Sequence, residues 1–195
     1  MGLEFLAVDY QKDITGKYSD KKLIIAATAR CVWDDLERLG GLDKYDVMCV
    51  NDMIMHYPNP VRHAYSNDWK MILKWTQARR PQYQKLDERH IITHSCFGET
   101  ASFHWPWPGH GTSSLNAVYT GLALGYNEII LCGVPLDNSG HYFDPIWVKT
   151  NFEREVPYVE RHGDHQIKNW QNARDKIFEG KVKSMSGRTK VLLGE

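Results

Sequence analysis

The residues able to do chemistry in this chain stand in polar segments, each placed directly behind or ahead of an apolar one. GTSSLNAVYTGLALGYNEIILCGVPLDNSGHYF, from Gly111 to Phe143, holds two such segments. Thr112, Ser113 and Ser114 stand where a helix would begin, and hydroxyls with free N–H groups at such an end suit either a phosphate or simple N-capping. Behind EIILCGV, the polar loop carries Asp137, His141 and Tyr142; His141 and Tyr142 suit phosphate contact or proton transfer. Asn51 and Asp52 close the run YDVMCV, where they fit hydrogen bonding to a base or ribose, or ordinary turn chemistry. Thr28 and Arg30 lie in AATARC, behind KKLII. In RHGDH, His162 and His165 flank Asp164. That spacing fits a metal pair, a His–Asp acid/base unit or the polar start of a helix.

The elements that must position these residues alternate strand and helix. KKLIIAAT (Lys21 to Thr28) is a continuous apolar run of the kind found in central parallel strands. VWDDLERLGGL follows, with Val32, Leu36 and Leu39 at helical spacing and Gly40-Gly41 as its stop. Asp46 to Val50 gives a second strand, which completes a βαβ unit. MHYPNPVRHAYSN reads as a loop. NDWKMILKWTQARR reads as an amphipathic helix capped by Asn67 or Asp68 and ended by Pro81, and Arg89 to Cys96 as a third strand. FGETASFHWPWPGHG is irregular. A helix with Leu115, Val118, Tyr119 and Leu122 on one face ends at Gly125. Glu128 to Val134 is the clearest strand. Residues 135–166 have no clean period and read as a loop or lid. HQIKNWQNARDKIFEGK is a late helix with Ile167, Trp170, Ala173 and Ile177 on one face, and KVKSMS a last short strand.

The expected fold is therefore a single α/β domain over residues 1–195, a Rossmann-like three-layer fold with a mostly parallel central sheet. In such sheets the loops after the strands emerge on one edge, where helix N-termini also point, and ligands bind there. The polar segments above converge on that edge.

Composition narrows the function. Lys+Arg and Asp+Glu are both 24, so formal net charge is zero. Nucleic acid is not indicated by that balance. The four cysteines form no CxxC pair, and Cys31, Cys49 and Cys132 sit in or beside apolar runs. That usage argues against a zinc site or disulfide framework and fits a reducing, cytoplasmic setting. No run approaches a membrane span, and the N-terminus lacks a signal-peptide pattern.

KKLIIAATARCVWDDLERL…YDVMCVND, followed by GLALGYNEIILCGVPLDNSGHYFD, resembles the Rossmann-like bacterial sialyltransferases of the lipooligosaccharide type. It is also similar to their wider relatives, which include pterin pyrophosphokinase-like proteins. The likeness covers roughly residues 21–145, is most specific over Ala123 to Asp137, and extends to VKSMS. It implies a nucleotide-activated sugar as donor. It implies that Asn51 contacts the ribose or base, that Ser113 or Ser114 holds the nucleotide, and that Tyr142 binds the leaving phosphate. His162 or His165 would be the general base. Where the family has a glycine-rich turn this chain has AATARC, so Ala27, Ala29 and Arg30 add side chains. Arg30 either supplies a cation for phosphate or fills the pocket. The ending KVKSMSGRTKVLLGE resembles small proteins of tailed phages.

Three functions follow as expectations. The first is a glycosyltransferase-like enzyme with no cofactor, since no DxD motif stands out. The second is pyrophosphoryl transfer with Mg²⁺ held by Asp52 and Asp137. The third is a nucleotide-binding or phage accessory protein without catalysis, in which case AATARC marks a decayed site. A homo-oligomer is compatible with each.

Overall fold

The computed structural model describes residues 13–79, 81–85, 90–97, 100–108, 112–137, 140–143 and 158–195, and only the backbone of 82, 84 and 158–165. Its strands are β1 (Lys22–Ala26), β2 (Asp46–Val50), β3 (His63–Tyr65), β4 (Ile92–Ser95), β5 (Phe103–His104), β6 (Glu128–Cys132) and β7 (Val182–Ser184). Its α-helices are α1 (Val32–Leu39), α2 (Met53–His56), α3 (Trp69–Ala78), α4 (Pro81–Gln84), α5 (Ser113–Ala123), α6 (Tyr158–Ala173) and α7 (Gly187–Leu193). The strands form one sheet in the order β5-β4-β3-β2-β1-β6-β7, and every pairing is parallel.

The apolar runs form central strands because both of their faces are covered. Leu23, Ile25, Met48, Val50, Ile129 and Leu131 point to the side of Leu115 and Val118 on α5 and Trp170 on α6. The alternate residues Ile24, Ala26, Val47, Cys49, Ile130 and Cys132 point to Val32 and Leu36 on α1, Met53 on α2 and Ile72 on α3. The period of two along each strand thus yields two cores and three layers, as the α/β pattern implies.

Several local expectations change. The expected loop Met55 to Asn67 contains β3, buried throughout between β2 and β4. Its His63 is buried through hydrogen bonds to His94 and Tyr126, so no apolar run marks the strand. The aromatic segment after β4 adds the two-residue edge strand β5. Neither Asn67 nor Asp68 caps α3 through its side chain; Asn67 bonds across the sheet edge instead. The third strand shortens to Ile92–Ser95. The late helix starts at Tyr158, so helix replaces loop at the C-terminal end of the expected 135–166 segment; residues 138–139 and 144–157 lie outside the described residues. That helix continues into a π-helical turn, Arg174–Phe178, which carries Ile177. After β7 the chain forms α7, which the sequence reading lacked. α7 is locked against the end of β6: the Thr189 hydroxyl donates to the Val134 carbonyl, Arg188 N–H donates to the Pro135 carbonyl (2.8 Å), and the Ser184 and Thr189 hydroxyls bond at 2.7 Å.

Candidate functional site

The strand order reverses between β1 and β6, the position at which open α/β sheets usually form a ligand crevice. The two loops that leave there are AATARC and the polar loop that ends at Phe143, and they bond to each other. Tyr142 N–H donates to the Thr28 carbonyl (2.9 Å) and Arg30 N–H to the Gly140 carbonyl (3.0 Å). Ala29 and His141 form an antiparallel bridge, and Thr28 Oγ1 lies 2.8 Å from His141 Nδ1. A short two-stranded ribbon therefore occupies the crevice. Around it the Tyr142 ring meets Trp33 and His56 edge-on, while Phe143 stacks on His141 with centroids 5.0 Å apart.

Beneath this ribbon the first turn of α1 carries Asp34 and Asp35. Two carboxylates at a helix N-terminus oppose a second anion there. Asp35 is buried; its Oδ2 accepts from Gly133 N–H (2.9 Å) and from the Ser186 hydroxyl (2.7 Å), which ties β6 and the β7–α7 turn to α1. Cys31 Sγ lies 3.1 Å from Ser186 Oγ. Burial pushes its thiol up to about 11, so it stays protonated at neutral pH and is no ready nucleophile.

The other half of the rim, over β2, β3 and β4, is built from side-chain amides and hydroxyls. Asn51 adopts φ 55°, a left-handed conformation that Asn tolerates better than most residues. Its N–H donates to the Tyr65 carbonyl (3.0 Å), and its Oδ1 accepts from the Ser66 hydroxyl (2.8 Å). Next to it, Asn67 Oδ1 gathers three donors: the Tyr65 hydroxyl (3.2 Å), the Cys96 thiol (3.3 Å) and Asn116 Nδ2 (3.1 Å). Burial raises the Tyr65 and Cys96 pKa values, which keeps both groups in their donor form. The Ser113 hydroxyl accepts from Asn67 N–H (3.2 Å) and fixes the start of α5 to this node. Asn116, on the first turn of α5, also donates to the Pro108 carbonyl (3.3 Å), yet its buried Oδ1 accepts from nothing among the described residues.

Thr112 is the α5 cap: its Oγ1 accepts from Leu115 N–H (3.1 Å). That is the capping alternative for this hydroxyl, and Thr112, Ser113 and Ser114 are all half-buried. Asn51, Ser113 and Ser114 therefore stand together on the β2–β4 half, and Thr28, Arg30 and Tyr142 on the zipped half. Both halves belong to one carboxyl rim, because all the strands are parallel. Tyr142 packs on the α1–α2 side of the sheet, whereas α5 covers the other side. His162 and His165 fall on the first turns of α6, and their side chains lie outside the described residues. Asp52, half-buried, stands at the start of α2, and Asp137, exposed, on the loop after β6. Among the described residues no three His, Cys, Asp or Glu side chains gather as a group that could hold a metal.

Sequence reasoning does not single out Ser66, Cys96 or Asn116, and gives Asn67 only as one of two candidate caps, with Asp68. Asn116 alone left a signal: an amide between Leu115 and Ala117, on a helix whose buried positions are otherwise apolar apart from Tyr119 and Thr120. A cavity of about 350 Å³ lies at the opposite, amino-terminal edge, lined by Asp20, Lys21, Lys22, Asp43, Lys44, Tyr45 and Asp46. Its opposite charges partly pair with one another, as in Lys21–Asp46 at 3.6 Å. Among the described residues no helix is long and apolar enough to cross a membrane. No protein-family model matches the chain, and no curated protein or solved structure matches it.

Proposed function

We propose that the rim over β2–β4 binds the nucleotide of an activated sugar, and that the chain is a glycosyltransferase-like transferase. The observation that carries this reading is the polar node at the start of α5. Asn51, Asn67, Ser113 and Asn116 converge on a helix N-terminus, and the buried Asn116 Oδ1 has no donor among the described residues. A helix start with the Ser114 hydroxyl suits a phosphate oxygen, and an unmatched amide oxygen suits an N–H or O–H of a base or ribose. In the transfer step, the acceptor hydroxyl oxygen bonds the anomeric carbon while the sugar–phosphate bond breaks. The electron pair leaves with the nucleotide phosphate, and the acceptor proton passes to a base. Tyr142 is the proposed phosphate contact, and His162 or His165 the proposed base.

A second reading is favoured by the zipped ribbon. With the β1–β6 crevice filled by Thr28, Ala29, Gly140 and His141, the chain binds a nucleotide on the β2–β4 half without turning it over. No observation favours the Mg²⁺-dependent pyrophosphoryl reading.

Titration calorimetry against CMP, UMP, GDP and their sugar conjugates tests the binding. One of these should bind, and Asn51→Ala and Tyr142→Phe should each weaken it about three- to tenfold, the worth of one hydrogen bond. Unchanged affinity in both variants would misplace the pocket. Release of sugar from the bound conjugate, followed with and without acceptor sugars, then separates transfer from binding alone.

A further inference from the structure

Below the rim, on the α5 side of the sheet, five buried or half-buried polar groups form a continuous chain. Trp105 Nε1–H donates to His94 Nδ1 (3.0 Å). His94 Nε2 lies 3.0 Å from His63 Nδ1, and His63 Nε2 lies 2.9 Å from the Tyr126 hydroxyl. Tyr126 O–H donates to Asp46 Oδ2 (2.8 Å). An indole N–H can only donate, and this fixes every proton after it. His94 Nδ1 accepts, so its proton is on Nε2; His63 Nδ1 accepts, so its proton is also on Nε2; Tyr126 accepts from His63 and donates to Asp46. The chain runs one way, and both imidazoles are neutral.

The chain stitches β2, β3, β4 and the residue after β5 to the turn between α5 and β6. It also borders the site. Ser66 N–H donates to the His94 carbonyl (3.2 Å), and Trp105 N–H to the Ser95 carbonyl (2.9 Å). Asn67 and Cys96 follow directly.

We propose that this one-way chain is an acid-released latch that holds the β2–β5 half of the sheet, and with it the β2–β4 rim, in place. Each accepting ring nitrogen already faces an N–H, so a second proton on either imidazole must expel its donor. The groups facing His63 offer little compensation. Arg62 and Lys21 are cations, His94 and Tyr126 are neutral, the neutral Tyr18 meets the ring edge-on, and the Asp46 carboxylate is one residue further along the chain. His94 faces His63, Trp105 and Phe103. Burial drives both pKa values below the ordinary histidine range, to about 3 for His94.

The folded values lie below the unfolded value of about 6.5. The stabilisation is therefore fully present above about pH 6.5 and is lost as pH falls toward the folded values. Each histidine lowers the folding constant by at most about tenfold per pH unit, a slope approached only well below pH ~6.5, so the pair lowers it by at most about a hundredfold per unit.

Imidazole nitrogen NMR on the full chain tests the latch directly. Expected are two Nε2–H neutral rings at pH 7, unchanged at pH 5. An imidazolium, an Nδ1–H ring or a titration near pH 6.5 at either position would overturn it. Urea unfolding at pH 7, 6 and 5 gives the second readout: the pair should contribute a loss of about 600-fold in the folding constant from pH 7 to pH 5, and His94→Gln should cut that contribution to about 25-fold. An unchanged slope in that variant would count against the proposal. Hydrogen exchange completes the test: toward acid, the amides of Ser66 and Trp105 should lose protection before those of Ile24 and Ile130, and simultaneous loss would refute the local latch. No ligand enters these measurements.

Discussion

The two halves of the carboxyl rim are built from similar loops and differ in what bonds them. At β1 and β6 the loops pair main chain to main chain through Thr28, Arg30, Gly140 and Tyr142, and the pairing consumes the main-chain groups that would meet a ligand. At β2, β3 and β4 the loops meet through the side chains of Asn51, Ser66, Asn67 and Cys96, joined by the first turn of α5. Buried side-chain polar atoms are mostly satisfied, and here Asn116 Oδ1 is an exception among the described residues. A reversal of strand order makes a place for a pocket. Whether a pocket forms there depends on what the two loops do with their own N–H and C=O groups.

Substitutions can break either half. The largest loss should come from Gly187→Ala. Gly187 has φ 63°, and an added Cβ would lie 2.4 Å from Pro135 Cβ and its carbonyl oxygen. Left-handed strain and overpacking together should cost about 3 kcal/mol. Denaturant midpoints read this, and a loss below about 1 kcal/mol would mean the α7 lock on the β6 loop is loose. Asp35→Ala comes next, because Gly133 N–H and the Ser186 hydroxyl lose their acceptor; about 2–3 kcal/mol is expected. Asp35→Asn, which keeps an acceptor, should lose less than Asp35→Ala in the same urea series, and equal losses would assign the effect to charge.

On the other half, Asn67→Ala strips one acceptor from three donors and should cost about 2 kcal/mol. It should also speed thiol labelling of Cys96 while leaving Cys31 unchanged, and equal acceleration at both would deny the two halves separate integrity. The smallest effect belongs to Thr28→Val, which removes the bond to His141 at a cost of about 0.5–1 kcal/mol. Its use is to sharpen the comparison: if the ribbon blocks a ligand, this variant should bind the nucleotides better than the parent chain, and weaker binding would place Thr28 in the site.

What could be read in advance follows the same division. β1, β2 and β6 are apolar because each is covered on both faces, so their positions and the residues just behind them, Asn51 among these, were legible. β3 was hidden because His63 meets a polar partner inside the fold. Asn67 and Asn116 lie 49 residues apart, and Cys96 and Asn67 lie 29 apart; no local spacing announces such pairs.

By itself the sequence determined the alternation of strand and helix, the parallel sheet and hence the edge on which the polar segments gather. These rest on hydrophobic period and chain direction, which are local properties. Only the tertiary structure decided which polar groups bond to one another and which keep capacity for something else. A hydrogen bond is set by the distance and angle of two groups in space, and those are fixed only after the layers have packed.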